Sequence, residues 1–137
     1  MSDISITVQT RAGRECASSG SRWEPIMGYS RAVRSGPFIA VTGTVGVHAD
    51  GTYSTSLADQ TARSLAIIQA AVEGLGGQLS QVIRTRMYVT DVSRWEEVAR
   101  VHGQVFGEIR PATTIVEVAR LIDDAALIEI EADAYVG

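Results

Sequence analysis

Hydrophobic and polar positions along this chain follow two periods. The clearest stretch is the last: Ile128, Ile130, Ala132, Ala134 and Val136 alternate with Glu129, Glu131, Asp133 and Tyr135, the pattern of a strand with one buried and one polar face. A strand is therefore predicted over residues 127–136. Residues 82–91 read the same way, with Arg84, Arg86 and Tyr88 on one face and Thr85, Met87 and Val89 on the other. Residues 113–119 form a further β-rich run. Two more runs, 29–34 and 38–43, flank Ser35-Gly36-Pro37, whose Gly-Pro pair punctuates a turn and predicts a hairpin.

The period changes after Asp50-Gly51. Leu57, Thr61, Leu65, Ile68, Val72 and Leu75 recur at spacings of three and four, with Ser56 as N-cap, Asp59 three residues on, and glycines at 74, 76 and 77 to end the helix. A second helix begins with Ser93 and Glu96 in capping-box spacing and carries Trp95, Ala99, His102 and Phe106 as its stripe. Near the N-terminus, residues 4–8 alternate loosely as a first strand, while 11–25 is polar and aperiodic and reads as loop.

The order β-ββ-α-β-α-ββ describes one α+β domain over residues 1–137, in which residues 1–25 are an N-terminal strand and loop extension. Two helices can cover only one face of a sheet of about six strands. The other face, which holds Arg84, Arg86, Glu129, Glu131 and Glu117, must stay partly polar or be buried against further subunits, so oligomerisation is expected on physical grounds.

Composition narrows the function classes. Apolar residues make up 45% of the 137 and charged residues 20%, as expected for a globular domain. A net charge of −4 works against nucleic acid or an anionic membrane as partner. All twelve basic residues are arginine, so no lysine Schiff base can form. The single cysteine, Cys16, excludes an internal disulfide, and with only His48 and His102 beside it a His/Cys zinc site is poorly supported. The segment Met1-Ser2-Asp3-Ile4-Ser5 has neither the basic nor the apolar region of a signal peptide, and no run reaches the ~18 apolar residues of a membrane span. A cytoplasmic location is expected.

Candidate chemistry is sparse. His102, on an apolar stripe, reads as a packed, hydrogen-bonded histidine, and His48, beside a turn, as a surface one. Gly43-Thr44-Val45-Gly46 is followed by no lysine and is not a phosphate loop. Glu129 and Glu131 share a strand face with side chains roughly 7 Å apart. They could perform acid–base chemistry or form cross-strand ion pairs with Arg84 and Arg86.

Three segments carry a resemblance: Gly28-Tyr29-Ser30-Arg31-Ala32-Val33, Val41-Thr42-Gly43-Thr44-Val45-Gly46, and the run from Arg110-Pro111-Ala112-Thr113-Thr114-Ile115-Val116-Glu117-Val118 on to Ile128-Glu129-Ile130-Glu131-Ala132. Together they resemble the Rid family, also called YjgF-type, whose founding members are enamine/imine deaminases. The resemblance implies a chorismate-mutase-like single domain with a mixed sheet, a homotrimer around a central barrel, and a small-molecule ligand in clefts between subunits, without metal or cofactor. It also implies that Tyr29, Thr42 and Gly43 line the cleft and that Glu129 orients the attacking water. The substrate-binding arginine of the deaminases corresponds to Thr113, and a cysteine common two residues later to Ile115. Threonine cannot replace a bidentate cationic clamp. Two functions follow: a divergent deaminase or hydrolase acting on an imine, enamine or related small molecule, or a non-catalytic ligand-binding trimer; whether Arg31, Arg86 or Arg110 supplies a replacement cation is open at the level of sequence.

Overall fold

The computed structural model describes residues 3–137; residues 1 and 2 of the N-terminal extension lie outside the described residues. Its elements are β1 (Thr7–Arg11), β2 (Arg14–Ser18), α1 (Trp23–Met27), β3 (Ala32–Ser35), β4 (Phe38–Val45), α2 (Leu57–Gly74), β5 (Val82–Val89), α3 (Trp95–Phe106), β6 (Ala112–Glu117) and β7 (Ile128–Tyr135). The strands form one seven-stranded sheet in the order β1-β2-β3-β4-β7-β5-β6. Every pairing is antiparallel except β5 with β6, so the sheet is mixed.

Alternation in β7 sorts the two faces. Ile128, Ile130, Ala132 and Ala134 are fully buried and meet Ile39 and Val41 of β4, Met87 and Val89 of β5, and Leu65, Ile68 and Val72 of α2. Helix α3 adds Val98, Val101 and Phe106 to the same core. The opposite face holds the alternate residues of β7 and β5, together with Phe38, which stacks edge-on against Tyr135 at 5.1 Å. Among the described residues no helix is long and apolar enough to cross a membrane.

Helix α2 starts and stops as its sequence predicts. Ser56 Oγ accepts the Asp59 amide at 3.1 Å. At the other end Gly77 N–H donates to Val72 O at 2.9 Å and Gly76 N–H to Glu73 O at 3.0 Å, with Gly76 left-handed at φ +86°. That is the paired closure of a Schellman motif.

The N-terminal segment departs from expectation. Residues 11–25, read as loop, form the end of β1, all of β2 and the start of α1. Ala12 (φ +51°) and Gly13 (φ +75°) make a two-residue turn with both φ positive, the hairpin geometry usually signalled by Asn-Gly. The first strand, expected over residues 4–8, instead runs from Thr7 to Arg11 and is exposed along its whole length, so apolar alternation does not mark its bounds. The sheet thus gains a seventh strand, and a third, five-residue helix joins the two long ones.

The α3 boundary differs as well. Ser93 does not cap it: Asp91 caps a preceding 3₁₀ turn over Val92–Arg94, its carboxylate accepting from Ser93 N at 3.1 Å and from Ser93 Oγ at 2.6 Å, and Arg94, at the N-cap of α3 itself, makes no side-chain cap bond. The buried stripe is Val98, Val101 and Phe106, whereas Trp95 is 52% exposed. Three apolar residues set the helix phase more strongly than a single tryptophan in the first turn.

Candidate functional site

Strands β4 and β7 pair in register from Phe38↔Tyr135 to Val41↔Ala132 and resume at Thr44↔Ile130. Three steps along β4 therefore match two along β7, a bulge at Thr42-Gly43. The bulge places Gly43 directly against Glu129: a Cβ on Gly43 would lie 2.7 Å from Glu129 Oε2 and 2.8 Å from its Cδ. Only glycine lets the carboxylate lie there. Thr42 fixes the bulge by donating its hydroxyl to Ser30 O at 2.6 Å and its N–H to Arg31 O at 2.9 Å.

Glu129 opens into a cleft of about 1360 Å³ whose wall includes Tyr29, Arg31, Thr42, Gly43, Tyr53 and Glu131. No hydrogen-bond partner holds the Glu129 carboxylate among the described residues. Burial raises its pKa above the ordinary carboxylate value, the neighbouring Glu131 charge raises it further, and Arg31 opposes both. Glu131 accepts the Tyr88 hydroxyl at 2.7 Å. Arg86 pairs with Asp133 at 3.1 Å, although Glu131 is its register partner across the strands. The ion pairs expected between these glutamates and Arg84 or Arg86 are absent among the described residues.

Arg31 is only 6% exposed. Its guanidinium donates to Gly43 O at 2.9 Å, Thr44 Oγ1 at 3.2 Å, Ser19 Oγ at 3.2 Å and Tyr29 Oη at 3.4 Å. Glu24, buried in α1, lies 3.8 Å away and accepts from both Ser19 N and Ser19 Oγ. Arg31 thus ties α1, Tyr29 and the bulge into one unit. Tyr29 follows Gly28, whose φ of +73° ends α1, and its ring lies 5.6 Å from the Arg31 guanidinium carbon. On the far wall Tyr53 donates its hydroxyl to Asp123 at 2.6 Å, and burial followed by that bond pushes the phenol pKa up strongly.

Of the residues singled out in the sequence, Tyr29, Thr42, Gly43 and Glu129 come together in this cleft. Thr113 and Ile115 do not. They lie on edge strand β6, on the helix-covered side, where Thr113 Oγ1 is 2.8 Å from Thr85 Oγ1. Thr85 also meets His102 Nε2 at 2.9 Å, so His102 is a packed, hydrogen-bonded histidine whose pKa burial lowers. Arg110, at φ +54°, is exposed and donates to Gly107 O. Among the described residues no group of three or more His, Cys, Asp or Glu could hold a metal. Sequence reasoning missed Tyr53, Asp123 and Trp23, all of which line the cleft, because none belongs to a periodic pattern or a motif.

Comparison with known proteins adds context. The family model described as Endoribonuclease L-PSP matches residues 19–136. A RutC family protein of Pyrococcus horikoshii, PH0854, is 36% identical over 114 residues, covering 82% of this chain and 90% of that protein. The crystal structure of Rv2704 from Mycobacterium tuberculosis, described as a member of the YjgF/YER057c/UK114 family, superposes with a TM-score of 0.84 at 51% identity, covering 90% of this chain and 99% of that one. The structure of E. coli TdcF with bound serine superposes with a TM-score of 0.75 at 28% identity, covering 80% and 88%.

Proposed function

From the premise that the chain belongs to the endoribonuclease L-PSP family, the group of RutC- and YjgF/UK114-type proteins, we propose that it hydrolyses a small imine or enamine to a carbonyl compound and ammonia. The supporting observation is the unpaired Glu129 carboxylate, seated against Gly43 in the β4 bulge and facing a cleft. A water held by this carboxylate gives up a proton to it and attacks the electrophilic C=N carbon. That proton passes to nitrogen to give a carbinolamine, Glu129 then relays the proton of the new hydroxyl to the same nitrogen, and ammonia leaves as the carbon closes to C=O. Tyr29, positioned by Arg31, lines the substrate's side of the cleft. That solved relatives include a protein with bound serine supports a small-molecule role for the cleft.

On this reading the working form is a homotrimer. Phe38, Tyr135 and Val116 are 55%, 46% and 42% exposed on the sheet face away from the helices, an apolar face suited to packing against other copies. Thr113 and Ile115 would then reach a cleft only across a subunit boundary. An RNA-cleaving role, which the family model's description names, is disfavoured by a cleft in which carboxylates outnumber guanidinium groups. The substitution of threonine at 113 favours one other reading, a trimer that binds a metabolite without turning it over.

The test generates imines in situ, from amino acids with an amino-acid oxidase and from amines with an amine oxidase, and follows trapping by semicarbazide. Wild-type protein should suppress trapping of at least one imine, and Glu129→Gln should lose that effect while keeping the wild-type oligomer. Suppression undiminished in Glu129→Gln would refute the mechanism. No suppression across the series would leave the binding reading.

A further inference from the structure

The cleft's charges and walls narrow what it can hold. Six carboxylates line it, against four guanidinium groups, and every one of the four is engaged within the chain. Arg31 spends four of its five donors on Ser19, Gly43, Thr44 and Tyr29. Arg63 is bound by Asp3 and donates to Val47 O at 3.0 Å. Arg120 is held by Asp124 at 2.7 Å. Arg22 lies 4.4 Å over the Trp23 ring and 3.9 Å from Asp123. Glu129, by contrast, has no partner among the described residues, and Glu131 has only the Tyr88 hydroxyl. A substrate carboxylate beside Glu129 would lose its hydration next to like charge, and Arg31, the guanidinium that acts on Glu129, already has four donors committed within the chain. An iminium or amine nitrogen would meet an unpaired carboxylate acceptor.

A second observation concerns the apolar part of the lining. Trp23, Met27, Leu121 and Ile122 contribute to the cleft wall, with Met27 62% and Ile122 54% exposed. The cleft lining therefore combines carboxylates with exposed apolar side chains, a combination suited to a ligand with a polar end and a hydrophobic body.

We infer that the cleft selects an imine or enamine that carries no carboxylate, is neutral or cationic, and bears an apolar substituent such as an aromatic ring. This deepens the deaminase reading of the same site and rests on it for the reacting group, but the preference for charge can be measured without turnover.

The chain has two tryptophans; Trp95→Phe, outside the cleft, leaves Trp23 as a fluorescence reporter of it. Three probes of similar shape are titrated into the otherwise native protein: 2-phenylethylammonium, phenylacetamide and phenylacetate. The cation and the amide should quench Trp23 with dissociation constants at least about tenfold below that of phenylacetate. Glu129→Gln combined with Glu131→Gln should bring the cation-to-anion ratio close to one. Phenylacetate binding as tightly as the cation, or no quenching by any probe, overturns the inference. A cation preference without suppression in the semicarbazide assay would retain this selectivity and refute the deaminase. Turnover of 2-imino acids with phenylacetate preferred would do the reverse.

Discussion

Replacing Gly43 by alanine should disable the site without unfolding the protein, and the structure sets the size of both effects. The added methyl would stand 2.7 Å from Glu129 Oε2, 2.8 Å from Cδ and 3.2 Å from Cγ. Ordinary carbon contacts lie at about 3.5–4.0 Å, so the carboxyl arm must retreat by about 1 Å. A displacement of that size at a reacting group costs about 10²-fold in rate. The backbone raises no objection, because Gly43 is not among the residues with positive φ. Alanine there even restricts the unfolded chain, a gain of about 0.4–1 kcal/mol where the native conformation allows it. The expected result is a roughly hundredfold loss of imine suppression in the semicarbazide assay, with a thermal midpoint at or near that of wild type. Gly46→Ala supplies the contrast: its methyl would collide with Gln60 O and lie 2.7 Å from Gln60 Cα, helix backbone that cannot swing aside. That variant should lose about 1–3 kcal/mol of stability. Undiminished activity in Gly43→Ala, or a loss of stability as large as that of Gly46→Ala, would refute the assignment of Gly43 as the seat of Glu129.

Glu129 should also make stability depend on pH in a direction opposite to a paired carboxylate. Its folded pKa is raised, so the native state holds this proton more tightly than the unfolded chain, and stability falls as pH rises through the folded value. In urea melts from about pH 4 to about pH 8, Glu129→Gln should gain on wild type as pH rises; a difference that stays constant would contradict the unpaired, buried carboxylate. Gln60 is buried and makes three hydrogen bonds, donating to Ser54 O at 2.8 Å and Ala125 O at 2.9 Å and accepting from Leu127 N at 2.8 Å. Gln60→Leu leaves those backbone groups unpaired and should cost about 2–3 kcal/mol in the same melts. A cost below about 1 kcal/mol would mean that water replaces them.

What could be read before the coordinates follows from where a face is buried. Strand β7, strand β5 and helix α2 each set one face against the core, so their periods of two and 3.6 are written in Ile128, Ile130, Met87, Ile68 and Val72. β1 buries neither face, so the loose alternation of residues 4–8 misplaces its bounds, and the turn that pairs it with β2 uses Ala12-Gly13, which leaves β2 without a turn signal. The candidate site divides in the same way. Alternation puts Glu129, Glu131 and Asp133 on one face with Arg84, Arg86 and Tyr88, but it leaves open which carboxylate remains unpaired. That depends on register. Arg86 stands opposite Glu131 and yet pairs with Asp133, Tyr88 stands opposite Glu129 and yet donates to Glu131, and both choices displace the pairing in the same direction along β7. Glu129, at the end of that series, is the carboxylate left over. The one-residue bulge in β4 then brings Gly43 rather than a side chain alongside it, so the unpaired state of Glu129 comes from two local offsets between strands that no composition or period encodes.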